Sequence, residues 1–151
     1  YTAQNMGAGR WDRVCKGNRI GAAMSVAAVG TVSLGLYFLT APLGGLFVPV
    51  QDAAAVVPQA VVFMRRMAPF FLFYALAESF SGACCGTGDT VRPMILTLLS
   101  ICLLRVLGIL LVLPRQHTME CIIDIYISSW IAAGIGFLIL WQWEKNRVPK
   151  T

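Results

Sequence analysis

Residues 21–50, GAAMSVAAVGTVSLGLYFLTAPLGGLFVPV, run for thirty positions without one charged side chain. The apolar residues fill every face of a helical projection instead of one stripe, the pattern of a helix with apolar surroundings on all sides. Thirty helical residues would span about 45 Å. A bilayer core is about 30 Å thick, so the segment either tilts or stops near Pro42.

The rest of the chain repeats the theme. Of 151 residues, 58% are hydrophobic and 13% charged, with mean hydropathy +0.72. A soluble domain carries roughly 25% charged residues to cover its surface. Three further apolar segments, 60–86, 93–113 and 122–143, follow the first, between a basic opening at 1–20 and a basic tail at 144–151. The fold class expected is all-α, a polytopic bundle of about four transmembrane helices with the lipid bilayer as its main partner. A net charge of +5 suits nucleic acid in principle. The basic residues sit at the edges of apolar blocks, however, which is how membrane anchors are arranged, so no nucleic-acid partner is expected. The chain opens on Tyr1 in a polar stretch without signal-peptide architecture. It is expected to be a piece of a longer protein.

The turns carry their own signals. VPVQDAA reads as a short turn with Asp52 as N-cap of the next helix. Arg65 and Arg66 can snorkel to an interface, and Pro69 kinks the segment below them. In GTGDT, Gly86 and Gly88 read as a C-cap and turn, Asp89 and Thr90 as a cap, and Pro93 as part of the first turn of the third segment. GAG at 7–9 and GTG at 86–88 lack the preceding strand and the GK[ST] ending that a phosphate loop needs. Five cysteines, Cys15, Cys84, Cys85, Cys102 and Cys121, form no CxxC and have no suitably spaced histidine. They read as reduced, small apolar packers. His117, alone in a loop, reads as solvated and Asp124 as interfacial. No nucleophile–base pair or metal set exists, so neither an enzyme activity nor a cofactor is expected.

With the N-terminus inside, Arg10, Arg13, Lys16, Arg19, Arg92, Lys145, Arg147 and Lys150 fall on the cytoplasmic side and Arg65, Arg66 and Arg115 outside. That asymmetry obeys the positive-inside rule and puts the C-terminus in the cytoplasm.

Two charges lie inside apolar segments. A carboxylate at bilayer depth is costly unless it pairs, faces water or takes a proton, and Glu78 is such a residue. Its neighbours at helical spacing, Phe71, Tyr74, Ser81, Gly82 and Cys85, make a stripe fit to line a cavity. Arg105 is the second. Both stand about a dozen residues from the GTGD turn, so Glu78 and Arg105 are candidates for an intramembrane ion pair. An ion-exchanging Glu78 and a structurally paired Glu78 both stay open.

AQNMGAGRWDRVCKG resembles the QNxGAGxxxR segment of multidrug and toxic compound extrusion (MATE) transporters. MRRMAPFFLFYALAESFSGACCGTGDTVRPM is similar to that family's AP…E…LSGxLRGxGDTxxPM helix and loop. LLRVLGI and HTMECIIDIYISSWI resemble the helix, outer loop and last helix that follow. The likeness covers almost the whole chain in order. It implies a twelve-helix transporter of two six-helix lobes, of which this chain would be the last four helices of the C-terminal lobe, partnered by a missing N-terminal lobe. It implies a plasma-membrane antiporter exporting organic cations and drugs, driven by inward Na⁺ or H⁺ as coupling ion. Glu78 would couple that ion, and Phe71, Tyr74 and Ser81 would line the substrate cavity. In other branches of the family an acid one turn earlier serves, where this chain has Tyr74. Two departures stand out: the family arginine of LRG is Cys85 here, and the proline of YPISW is Ile127. The rival readings are a lipid-linked oligosaccharide exporter of the same superfamily and a non-transporting membrane scaffold.

Overall fold

The computed structural model describes residues 1–115 and 118–147. His117 and the last four residues of the expected basic tail lie outside the described residues. Among the described residues every regular element is helical: α1 (Thr2–Gly7), α2 (Trp11–Phe47), α3 (Val50–Met67), a 3-10 turn (Ala68–Phe70), α4 (Phe71–Gly86), α5 (Val91–Thr97), a π-helical stretch (Leu98–Leu103), α6 (Leu104–Leu111) and α7 (Met119–Arg147). They make four rods long and apolar enough to cross a membrane, Trp11–Phe47, Val50–Gly86, Val91–Leu111 and Met119–Arg147.

Each rod outruns its apolar segment at one end or both; the third starts two residues early and stops at Leu111. The opening 1–20 is not a loop: Arg13, Lys16 and Arg19 ride on the first turns of α2, after a turn in which Gly9 takes a left-handed φ of 68°. The helix does not stop at Pro42 but runs on to Phe47. A proline removes one backbone hydrogen bond, whereas a helix end in apolar surroundings strands several donors and acceptors. The chain reverses at Val48 and Pro49, with Val48 extended as a residue before proline prefers. Pro49 therefore holds the N-cap position, and Asp52 lies inside the first turn of α3, where its charge complements the helix dipole. The expected kink at Pro69 takes the form of the single 3-10 turn Ala68–Phe70.

Small residues let the rods approach. Ala77 of α4 is 1% exposed against Ala133 and Phe137 of α7. A Cβ on Gly134 would stand 3.2 Å from the Phe73 carbonyl oxygen. This is how transmembrane helices associate, by van der Waals contact over small side chains. Below this layer Val14, Ala83, Cys84 and Trp141 close one end of the bundle. Above it Met67, Ile123, Ile127 and Trp130 close the other. Ile127 is buried within an unbroken α7. All five cysteines are free thiols, with Cys84 and Cys121 buried as packers.

Candidate functional site

The structure gathers four aromatic side chains and one arginine around a cleft of about 460 Å³. α4 supplies Phe71 and Tyr74, α7 supplies Tyr126 and Trp130, and Arg105 enters from α6, with Val29 and Ile101 completing the lining. Phe71 and Trp130 have ring centres 5.2 Å apart, Tyr74 and Trp130 6.1 Å, and Tyr126 meets Trp130 edge-on at 6.3 Å. The Arg105 guanidinium carbon lies 4.1 Å from the Tyr126 ring centre and 5.9 Å from that of Trp130. Arg105 Nε donates to Ser129 Oγ at 2.9 Å, and Ser129 Oγ in turn donates to the Tyr126 carbonyl at 2.7 Å. Ser129 is fully buried. The arrangement holds a cation at bilayer depth by aromatic faces and a relayed hydrogen bond.

Arg105 stands two residues after the end of the π-helical stretch Leu98–Leu103. A π turn shifts the rotation of everything after it, and such turns mark functional positions often. Within it Ser100 is buried and donates to the Leu96 carbonyl at 2.7 Å.

The sequence-predicted residues divide. Phe71 and Tyr74 line the cleft. Ser81 and Glu78 share their face of α4 but stand lower, outside the cleft lining. Glu78 is exposed on the surface of the four-rod unit. The Tyr74 hydroxyl, one turn away, is within electrostatic reach of both Glu78 and Arg105. Among the described residues neither Glu78 nor Arg105 makes an ion pair, so the candidate pair is not formed. The reason is height. Glu78 stands eight residues from the end of α4 at Gly86 and Arg105 fourteen from the start of α5 at Val91. Six residues of difference amount to roughly 9 Å along the rods.

Tyr126, Ser129 and Trp130 entered the sequence reading only as a variant of the family's YPISW. Their spacing of three and four on one rod was the available signal, since it puts all three on one helix face.

The GTGD turn is the second built feature. Gly88 takes φ 100°, a conformation that suits glycine. A Cβ on Gly86 would stand 2.6 Å from Thr2 Cβ, so α1 packs down on this turn. Asp89 Oδ1 accepts the Arg92 backbone N–H at 3.3 Å, which makes it the cap, although Thr90 holds the cap position and its hydroxyl makes no capping bond. Arg92 Nη1 donates to Asp89 Oδ2 at 2.7 Å and to Glu144 Oε1 at 3.2 Å. Glu144 belongs not to a loose tail but to α7, where it is 6% exposed. Burial raises the Asp89 carboxyl, but the Arg92 backbone N–H, its side-chain hydrogen bond and its charge outweigh that and hold it below the usual carboxylate value. At the opposite end Arg66 joins Asp124 at 2.8 Å and Glu120 at 3.3 Å, so Asp124 is paired.

Residues 1–111 match the family model described as MatE. The chain belongs to the MatE family. Members of this family are helical membrane transporters, so the four rods are membrane spans and the chain is part of a MATE-type transporter. The matched span holds Phe71, Tyr74, Glu78, the GTGD turn and Arg105, and stops before α7, which supplies Tyr126, Ser129, Trp130 and Glu144. Comparison with curated proteins finds no match, and comparison with solved structures finds none either.

Proposed function

We propose that this MATE chain works in a cation-coupled antiporter that exports organic cations and amphipathic drugs in exchange for Na⁺ or H⁺. It would sit in the plasma membrane with its C-terminus in the cytoplasm, completed by an N-terminal lobe. The observation that carries the reading is the aromatic cleft, whose walls are spaced to hold a cation: Arg105 lies 4.1 Å from the Tyr126 ring centre. A planar lipophilic cation makes the same contacts with the same faces and loses less hydration in doing so.

In this reading Glu78 is the coupling residue. It lies one helical turn from Tyr74 on an exposed face, without an ion pair among the described residues, and a carboxylate so placed in a membrane span must find a cation or a proton. Binding the coupling ion neutralises it. Its release restores a charge that draws the substrate cation, or Arg105, toward α4. The two ligands thus compete for one electrostatic well, which is what exchange requires.

The experiment is ethidium efflux from liposomes holding the full-length protein, under an imposed Na⁺ or pH gradient, wild type beside Glu78→Gln. The expected result is gradient-driven efflux that Glu78→Gln abolishes while insertion stays normal. Efflux unchanged in the variant would remove Glu78 from the coupling role, and absence of efflux under both gradients would remove the antiporter.

A further inference from the structure

We propose that the π turn Leu98–Leu103 is a register switch that sets whether the aromatic cleft holds Arg105 or Leu104, and so whether it carries a cation of its own. The switch rests on the reading of the cleft as the substrate site and adds how that site is emptied and filled.

A π turn closes its hydrogen-bonded rings with one residue more than an α turn, so it carries one residue in excess. Every residue beyond it therefore stands where its predecessor would stand in an unbroken α-helix. Without the excess residue α6 would be turned by about 100° and displaced by about 1.5 Å. Leu104 would then face Tyr126 and Ser129, and Arg105 would take the place now held by Val106. The cleft would keep its aromatic faces and lose its guanidinium.

Two contacts with α7, three residues apart on one face of α6, need the π register. Arg105 meets Ser129 Oγ at 2.9 Å and the Tyr126 ring centre at 4.1 Å. Gly108 lies so close to α7 that a Cβ there would stand 2.8 Å from Ile125 Cγ2. In the α register Leu107 would occupy the place of Gly108, and its side chain would push α6 away from Ile125. Loss of the guanidinium and widening of the cleft therefore come together. Val106 is 53% exposed, and an arginine brought to that face at bilayer depth is costly, which makes the π register the resting one.

The rod is held loosely enough to turn. No residue of α6 is buried among the described residues, and the buried residue of the π turn is Ser100. Its hydroxyl donates to the Leu96 carbonyl at 2.7 Å, a bond within the rod that ties it to no neighbour. What occupies the cleft then selects the register. A lipophilic cation on the aromatic faces excludes Arg105 by volume and by like charge, and holds α6 in the α register. Return of the π turn brings the guanidinium back and displaces that cation.

The test uses cysteine-free full-length protein in detergent, spin-labelled through Leu110→Cys on α6 or Ile95→Cys on α5, each measured against Ile139→Cys on α7; all three positions are exposed. Ethidium is expected to move the label on α6 by roughly 9 Å, the chord of a 100° turn at the helix surface, and to leave the label on α5 in place. Gly108→Ala is expected to move the α6 label without ethidium and to tighten ethidium binding roughly five-fold, and Gly108→Ala with Ile125→Ala to return both to wild-type values. Ethidium bound with no movement of the α6 label would overturn the switch and leave the cleft as the substrate site. Gly108→Ala that folds and changes neither label nor affinity would overturn it as well. Ethidium affinity unchanged in Tyr74→Ala would take the substrate out of the cleft and overturn the switch together with the reading it rests on.

Discussion

The Arg105 guanidinium lies 4.1 Å from the centre of the Tyr126 ring, so the aromatic cleft already contains a cation. That relationship links the π turn ahead of Arg105, the hydroxyl of Ser129 and the aromatic faces of α4 and α7 into one site. It also gives the export reading a sign that kinetics can check.

If a lipophilic cation uses the same faces, removing the resident one strengthens its binding. Arg105→Gln should lower the KM for ethidium efflux. A cation–π contact of about 1 kcal/mol corresponds to a change of roughly five-fold. A KM that rises, or stays level, would mean that substrate binds elsewhere.

Ser129 accepts from Arg105 and donates to Tyr126, and it is fully buried. Ser129→Ala leaves the Arg105 Nε–H without that acceptor and should cost about 1 kcal/mol of stability. Ser128→Ala is the control, since that hydroxyl bonds only the Ile125 carbonyl of its own helix. Equal melting temperatures for the two variants would remove the relay.

Asp89 ties the turn to Arg92, and Arg92 ties it to Glu144 on α7. Asp89→Asn keeps an acceptor for the Arg92 N–H but loses the charge, at a cost of about 1 kcal/mol near neutral pH. The pH dependence has a definite sign. The folded carboxyl titrates below its ordinary value, so its contribution is complete above about pH 4 and is lost as the pH falls through the lower folded value. Wild type and Asp89→Asn should therefore differ in melting temperature by a constant amount from pH 5 to 8 and converge only in strong acid. A gap that closes between pH 6 and 8 would contradict this.

Two glycines of one helix–turn segment should respond oppositely to alanine. Gly88→Ala puts a side chain at φ 100° and should cost roughly 1–2 kcal/mol. A Cβ at Gly82 meets nothing within 4 Å, and helical propensity favours alanine there by up to about 1 kcal/mol. Paired thermal melts of the two variants would show the contrast; a stable Gly88→Ala would mean that the turn takes another conformation.

Much of this was legible in the residues themselves. The uncharged run 21–50 and its three successors dictate four apolar rods, because lipid-exposed backbone must satisfy its own hydrogen bonds and a helix does so within one segment. Gly88 and Asp89 announce the turn, since one suits a left-handed φ and the other supplies an acceptor for a nearby N–H. Spacing along a single rod also put Phe71, Tyr74, Glu78 and Ser81 on one face.

Spacing along one rod carries no information about the height and rotation of the next. Only the packed structure sets Arg105 roughly 9 Å above Glu78, beside Ser129 and Tyr126 rather than a carboxylate. Only the packed structure brings Glu144, fifty-two residues along the chain, to Arg92. Those choices follow from where Ala77, Ala133 and Gly134 allow α4 and α7 to touch, and from the π turn that re-aims α6. They depend on how close two surfaces can come, a property that neither helix has alone.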